Sequence, residues 1–98
     1  MDTVKQGWRQ WLHWCKNIED EKRLETLFDL LLTPEEKKDI ATRCLIVNAL
    51  LSHEHNQRDM AKHLSVSIAK ITRGSNELKR MKNSLIQYLK DNQLKFDL

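Results

Sequence analysis

Few residues of this 98-residue chain are spaced for chemistry. His53, Glu54 and His55 sit in one short stretch, with His63 a little further on, and imidazole and carboxylate are metal donors. Donors alternating in a loop, with no cysteine nearby, favour a solvated connection over a metal centre. Cys15 and Cys44 are the only cysteines, too few for a disulfide framework. They are expected to serve as small apolar side chains in a reducing cytoplasm. No nucleophile stands with a base and an orienting acid, and a chain whose only glycines are Gly7 and Gly74 has no phosphate-cradling loop. The expectation is a protein that binds, not an enzyme, with no metal or cofactor.

Two features say what it binds. Residues 57–82 hold seven bases (Arg58, Lys62, Lys70, Arg73, Lys79, Arg80, Lys82) against Asp59 and Glu77. Residues 16–39 hold eight acids against five bases, although the whole chain is only +3. A basic segment beside an acidic one suggests a surface for a polyanion. The second feature is Gly74 in ITRGSN, residues 71–76. It falls inside a helical pattern, where glycine costs about 1 kcal/mol relative to alanine. Either it lets two helices approach closely, or it leaves a gap that something else fills.

The elements that position these residues are helices. One proline, two glycines and abundant Leu, Lys and Glu predict an all-α chain with short connections. Trp8, Trp11, Leu12, Cys15 and Ile18 recur at helical spacing, with Trp14 on the flank. A second apolar run from Leu24 to Leu32 stops at Thr33-Pro34. Thr33, Pro34 and Glu36 then form a helix start, with Thr33 as cap, Pro34 in the first turn and Glu36 closing a capping box. That helix carries Ile40, Ala41, Cys44, Val47, Leu50 and Leu51 as an apolar stripe and ends near His53–Asn56. Asn56 caps a short helix with Met60, Ala61 and Leu64. After Ser65-Val66-Ser67, Ser67 caps a helix from Ile68 to about Lys79. A last helix starts at Asn83 or Ser84 and bears Leu85, Ile86, Leu89 and Leu94. Six helices with apolar stripes need more partner surface than one short chain supplies, so a homodimer is expected, with the Trp-rich helix in its interface. No apolar run is long enough to span a membrane, and MDTVKQGWRQ has no signal-peptide character.

Residues 57–76, QRDMAKHLSVSIAKITRGSN, have the layout of a helix-turn-helix, with Ser65 where glycine is common. Joined to LLLTPEEKKDIATR before it and NELK after it, the stretch resembles the tryptophan repressor family of bacterial transcription regulators. The likeness is close over residues 28–80 and holds in pattern beyond, which identifies residues 1–98 as a single domain of this kind, its helix-turn-helix at about 57–79.

The resemblance implies an intertwined homodimer that binds double-stranded operator DNA when L-tryptophan is bound as corepressor. The operator would be palindromic and belong to tryptophan biosynthesis or transport genes. Arg43 and Arg73 would flank the indole, since guanidinium planes stack on aromatic faces. Thr33 and the carbonyls of Leu30 and Leu32 from the second subunit would meet its polar end. Gly74 would leave the gap that the indole fills. Glu77 would lie near the ligand's amino-acid end, or would only pair with Arg73 four residues before it. For DNA, the resemblance assigns Ile68, Ala69, Lys70 and Thr72 to the major groove, and Gln57, Arg58, Arg73 and Lys79 to phosphates or base edges. Lys70 stands where a small hydroxyl residue is usual, and Ala61 where lysine is common, so the operator sequence is left open. Two rivals remain at this point. One is a helix-turn-helix protein of the same fold that ignores tryptophan; the other is a helical adaptor that binds proteins through the Trp-rich helix.

Overall fold

A computed structural model describes residues 2–53 and 55–96. These residues form six helices and no strand: α1 Thr3–Asn17, α2 Glu21–Leu31, α3 Pro34–Ser52, α4 Gln57–Leu64, α5 Ile68–Lys79 and α6 Asn83–Asp91. They group into two compact units, Met1–Lys37 and Lys38–Leu98. Among the described residues no helix is long and apolar enough to cross a membrane.

In the first unit each helix start is made by a side-chain oxygen. Asp2 accepts from the amides of Val4 and Lys5 at 3.0 and 3.2 Å, and Asp20 from that of Lys22 at 3.3 Å. Such caps satisfy amides that have no partner inside the helix. The indole of Trp11 stacks on Trp8 at 6.4 Å and on Phe28 at 5.1 Å between ring centroids. Ile18, expected on the α1 stripe, is instead the extended residue that ends the helix. Neither α1 nor α2 contains a buried residue, and Trp8 is 61% exposed. The expected capping box is present. The Thr33 amide donates to Glu36 Oε1 at 2.9 Å, and the Glu36 amide donates to Thr33 Oγ1 at 3.1 Å.

The second unit holds the core. Ile46, Ala49 and Leu50 of α3 pack with Met60 and Ala61 of α4 and Ile71 of α5, flanked by Leu64, Val66 and Leu78. Ile71 is completely buried. The stripe expected along α3 is therefore only half used. Ile40, Ala41 and Cys44 are exposed, because α4 and α5 cover the C-terminal part of α3 alone. Asn56 Oδ1 accepts from the Asp59 amide at 2.8 Å and starts α4. Ser65, with φ 55° and ψ 45°, ends it in the left-handed region. The Val66 amide then reaches back to the Ala61 carbonyl at 3.0 Å, the six-to-one bond of a Schellman ending. Two residues later Ser67 Oγ accepts from the Lys70 amide at 3.3 Å and starts α5.

α6 begins at Asn83 without a side-chain cap, and Leu94 lies beyond its end, not on it. The segment after α6 is tied to α3 instead. Gln93 Nε2 donates to Asn48 Oδ1 at 2.7 Å and to the Asn48 carbonyl at 3.0 Å, and Asn48 Nδ2 donates to the Leu94 carbonyl at 3.2 Å.

Candidate functional site

Within the second unit α3, α5 and α6 line a half-open cleft of about 710 Å³, in the size range of small-molecule sites. Arg43, Ile46 and Val47 line it from α3. Arg73, Gly74 and Leu78 line it from α5, and Leu85 and Leu89 close it from α6. The walls are mostly apolar, with charge supplied by a few long side chains. Both arginines singled out in the sequence thus reach one cavity, although thirty residues separate them. Among the described residues neither guanidinium group makes a hydrogen bond or ion pair. Arg43 projects from the half of α3 left uncovered by α4 and α5. Arg73 is carried by the second turn of α5, which Ile71 anchors in the core.

Gly74 lines the cleft, but the gap expected in place of its side chain is not there. A Cβ on this residue would stand 3.0 Å from Ile46 Cγ2 and 3.4 Å from Leu50 Cδ1. The glycine lets α5 close on α3, and the cleft opens beside that contact. Sequence alone shows that a side chain is missing, not how near the facing helix comes.

Glu77 also lines the cleft, and its expected partner is replaced by another. Its Oε1 lies 3.4 Å from Arg80 Nη1, not beside Arg73. Positions three and four apart on a helix are both neighbours, so spacing could not choose between them. Lys70 and Asp39 line the cleft too. Lys70 was assigned only to DNA and Asp39 to nothing. The signal for both was present, since each lies one turn before a cleft residue, Gly74 and Arg43 respectively.

Leu30, Leu32 and Thr33 belong to the first unit. Pro34 has no amide to give the Leu30 carbonyl, and among the described residues no hydrogen bond ends on Leu30 O or Leu32 O. These oxygens are free acceptors at a helix C-terminus, which carries partial negative charge.

The residues assigned to DNA are all exposed: Gln57 and Arg58 open α4, and Ile68, Ala69, Lys70, Thr72, Arg73 and Lys79 lie along α5. Thr72 Oγ1 donates to Gln57 Oε1 at 3.2 Å, which links the starts of the two helices. On α5 the residues Ile71, Gly74 and Leu78 face inward, leaving Ala69, Thr72 and Arg73 to solvent. One helix therefore lines the cleft and also presents polar and basic residues to solvent.

The rings of His55 and His63 come within 5.2 Å, tilted by 41°. Glu54, between His53 and His55, lies outside the described residues. Among those described, no group of three or more His, Cys, Asp or Glu side chains is placed to hold a metal.

The sequence matches the family described as Trp repressor protein over residues 6–93. It is 45% identical over 83 residues to a Trp operon repressor homolog of Chlamydia trachomatis serovar D, covering 85% of this chain and 88% of that one. For the Trp operon repressor homolog of Chlamydia caviae the identity is 39% over 90 residues, covering 92% and 89%. That of Vibrio campbellii is 42% identical over 72 residues, covering 74% and 72%. Six helices, a short α4 turning tightly into an exposed basic α5, and these matches along most of the chain place it in the Trp repressor family of transcription regulators.

Proposed function

We propose that the chain is an L-tryptophan-dependent transcriptional repressor that acts in the cytoplasm as a homodimer on a palindromic operator of tryptophan biosynthesis or transport genes. In this reading α4 and α5 are a helix-turn-helix, and α5 enters the major groove. The observation that carries it is the cleft on the inner side of α5, where Arg43 and Arg73 converge beside Gly74. An indole between the two guanidinium planes would gain stacking on both faces, each contact contributing roughly 0.5–2 kcal/mol. The free carbonyls of Leu30 and Leu32, together with the Thr33 hydroxyl, all of the second subunit, would receive the ligand's ammonium.

Coupling to DNA follows from sharing one helix. The ligand adds apolar contacts between α3 and α5, so it fixes the pose of α5 against the core. Ile68, Ala69, Lys70 and Thr72 then read base edges, while Gln57, Arg58, Arg73 and Lys79 hold phosphates or base edges and set register. Without ligand α5 samples other poses, and the competent fraction scales the apparent affinity. Isothermal titration with L-tryptophan, followed by operator binding with and without it, tests the reading. Saturable binding at one site per chain, with tighter DNA binding in its presence, is expected. DNA affinity that ignores tryptophan would overturn it.

A further inference from the structure

We propose that His55 and His63 together bind one divalent late transition-metal ion through an imidazole nitrogen of each ring. In the sequence His53, Glu54 and His55 alternate within one short stretch, which argues against a metal. The structure pairs donors from two elements instead. His55 stands in the connection just before the Asn56 cap, and His63 lies in the last turn of α4. Eight positions separate them in the chain, yet their ring centroids are 5.2 Å apart and the rings are tilted by 41°. Neither residue lines the cleft, so the site stands independently of the tryptophan reading.

That separation is the one a shared ion imposes. Imidazole nitrogens sit about 2.0–2.1 Å from zinc, and adding the radius of each ring places two ring centres about 5 Å apart across a tetrahedral angle. Plain aromatic contact covers about 4.5–7 Å and would also include this pair, so distance alone does not decide. The surroundings do. Among the described residues neither imidazole makes a hydrogen bond or ion pair, so no protein contact has to be broken for the two to share an ion. His63 is exposed and His55 half-buried, which leaves a path from solvent.

Two protein ligands, with no third His, Cys, Asp or Glu placed beside them among the described residues, leave the other positions to water. This sets the class of site. Imidazole suits zinc, copper and nickel, and copper(II) should bind more tightly than nickel(II). Magnesium and calcium take oxygen donors and should not compete. His63 also lies at the C-terminal end of α4, where backbone carbonyls carry partial negative charge. Arg58 and Lys62 on the same helix act against a cation, and Asp59, one turn before His63, acts for it. A bound ion ties the entry of α4 to its exit. With only eight residues α4 is too short to be stable alone, so occupancy reinforces the hold of the core through Met60 and Ala61.

The test is calorimetric titration of zinc chloride and nickel chloride into the full-length protein and into His55→Gln, His63→Gln and His53→Gln, with circular dichroism confirming that each variant is folded. One saturable ion per chain is expected in the unaltered protein and in His53→Gln, with loss of that binding in either of the other two. Magnesium chloride should not bind. The thermal midpoint of the unaltered protein should rise with zinc, because a ligand of the folded state stabilises it, and that of His55→Gln and His63→Gln should not. Without any substitution, trace copper(II) should broaden the ring resonances of His55 and His63 and spare those of His13 and His53. No saturable binding, binding that survives in His55→Gln or His63→Gln, an equal loss in His53→Gln, or broadening of all four rings alike would overturn the site. None of these outcomes bears on tryptophan binding, which its own titration decides.

Discussion

A methyl group on Gly74 would press on Ile46 Cγ2 at 3.0 Å, and Ile46 has little room to yield. It is β-branched, its helical χ1 is nearly fixed, and only 4% of it is exposed. Gly74→Ala therefore trades roughly 1 kcal/mol of helix propensity against an overpacking cost of about 1–3 kcal/mol. A net loss of about 1 kcal/mol in urea unfolding is expected, together with weaker tryptophan binding as α5 shifts outward. A variant more stable than the parent would mean that Ile46 can move aside. Lys70 raises a different question, because it lines the cleft and also sits in the first turn of α5 among exposed residues. If it meets a phosphate, Lys70→Thr lowers affinity for all sequences and reduces the salt slope by about one; if it meets a base edge, selected operators change at one position per half-site. The expected outcome is the changed base preference. Identical selected sequences would assign Lys70 to phosphate or to the cleft.

Three helix starts were legible because a short polar side chain must satisfy free amides there, whereas the caps Asp2 and Asp20 were lost among neighbouring charged residues. Thr33 with Glu36, Asn56 and Ser67 each stand at a helix start in the sequence, and each makes its capping bond in the structure. The end of α6 was not legible, because an apolar Leu94 at helical spacing looks alike on a helix or just past one. α6 ends at Asn92, whose side-chain amide donates to the Tyr88 carbonyl at 2.8 Å, and the long-range tie from Gln93 to Asn48 that holds the segment beyond it is invisible to local pattern. Nor could the α3 stripe reveal which half is covered, since that depends on where α4 and α5 land. For the cleft, residue types marked Arg43, Arg73 and Gly74, but the close contact at Gly74 and the turn of Glu77 towards Arg80 are set by packing and rotamer choice. The α4–α5 turn supplies an element-scale test. Ser65 sits at φ 55°, a left-handed conformation that costs an L-residue roughly 1–2 kcal/mol and glycine nothing. Part of that gain is lost to the greater freedom of glycine in the unfolded chain. Ser65→Gly should thus stabilise the protein by about 0.5–1 kcal/mol in urea unfolding with DNA affinity unchanged. A destabilised variant would show that the Ser65 side chain holds the turn in a way its backbone does not reveal.

At the scale of the whole molecule the amount of core decides the last expectation. The buried apolar residues among those described are Ile46, Ala49, Leu50, Leu51, Met60, Ala61 and Ile71, none of them aromatic. Fixing the chain costs about 1–2 kcal/mol per residue in backbone entropy alone, which so small a core is poorly placed to offset. Meanwhile Val4, Trp8, Leu12 and Trp14 of α1, Ile40 and Leu45 of α3, and Leu85 and Tyr88 of α6 are each at least 40% exposed. Tryptophan alone buries up to about 250 Å² when covered, so the missing stabilisation lies in these side chains. The proposed homodimer covers them with the same surfaces of a second copy. Folding then becomes a bimolecular event, and its midpoint must depend on protein concentration. Thermal or urea unfolding over a hundredfold range of concentration should show midpoints that rise steadily, with dimer the smallest folded species in sedimentation. Trp8→Ser should lower the midpoint at every concentration, because it removes apolar surface that only the second copy can bury. A midpoint independent of concentration, with a folded monomer in sedimentation, would remove the dimer. With it would go the expectation of two half-sites about one helical turn apart, leaving one reading helix on one site.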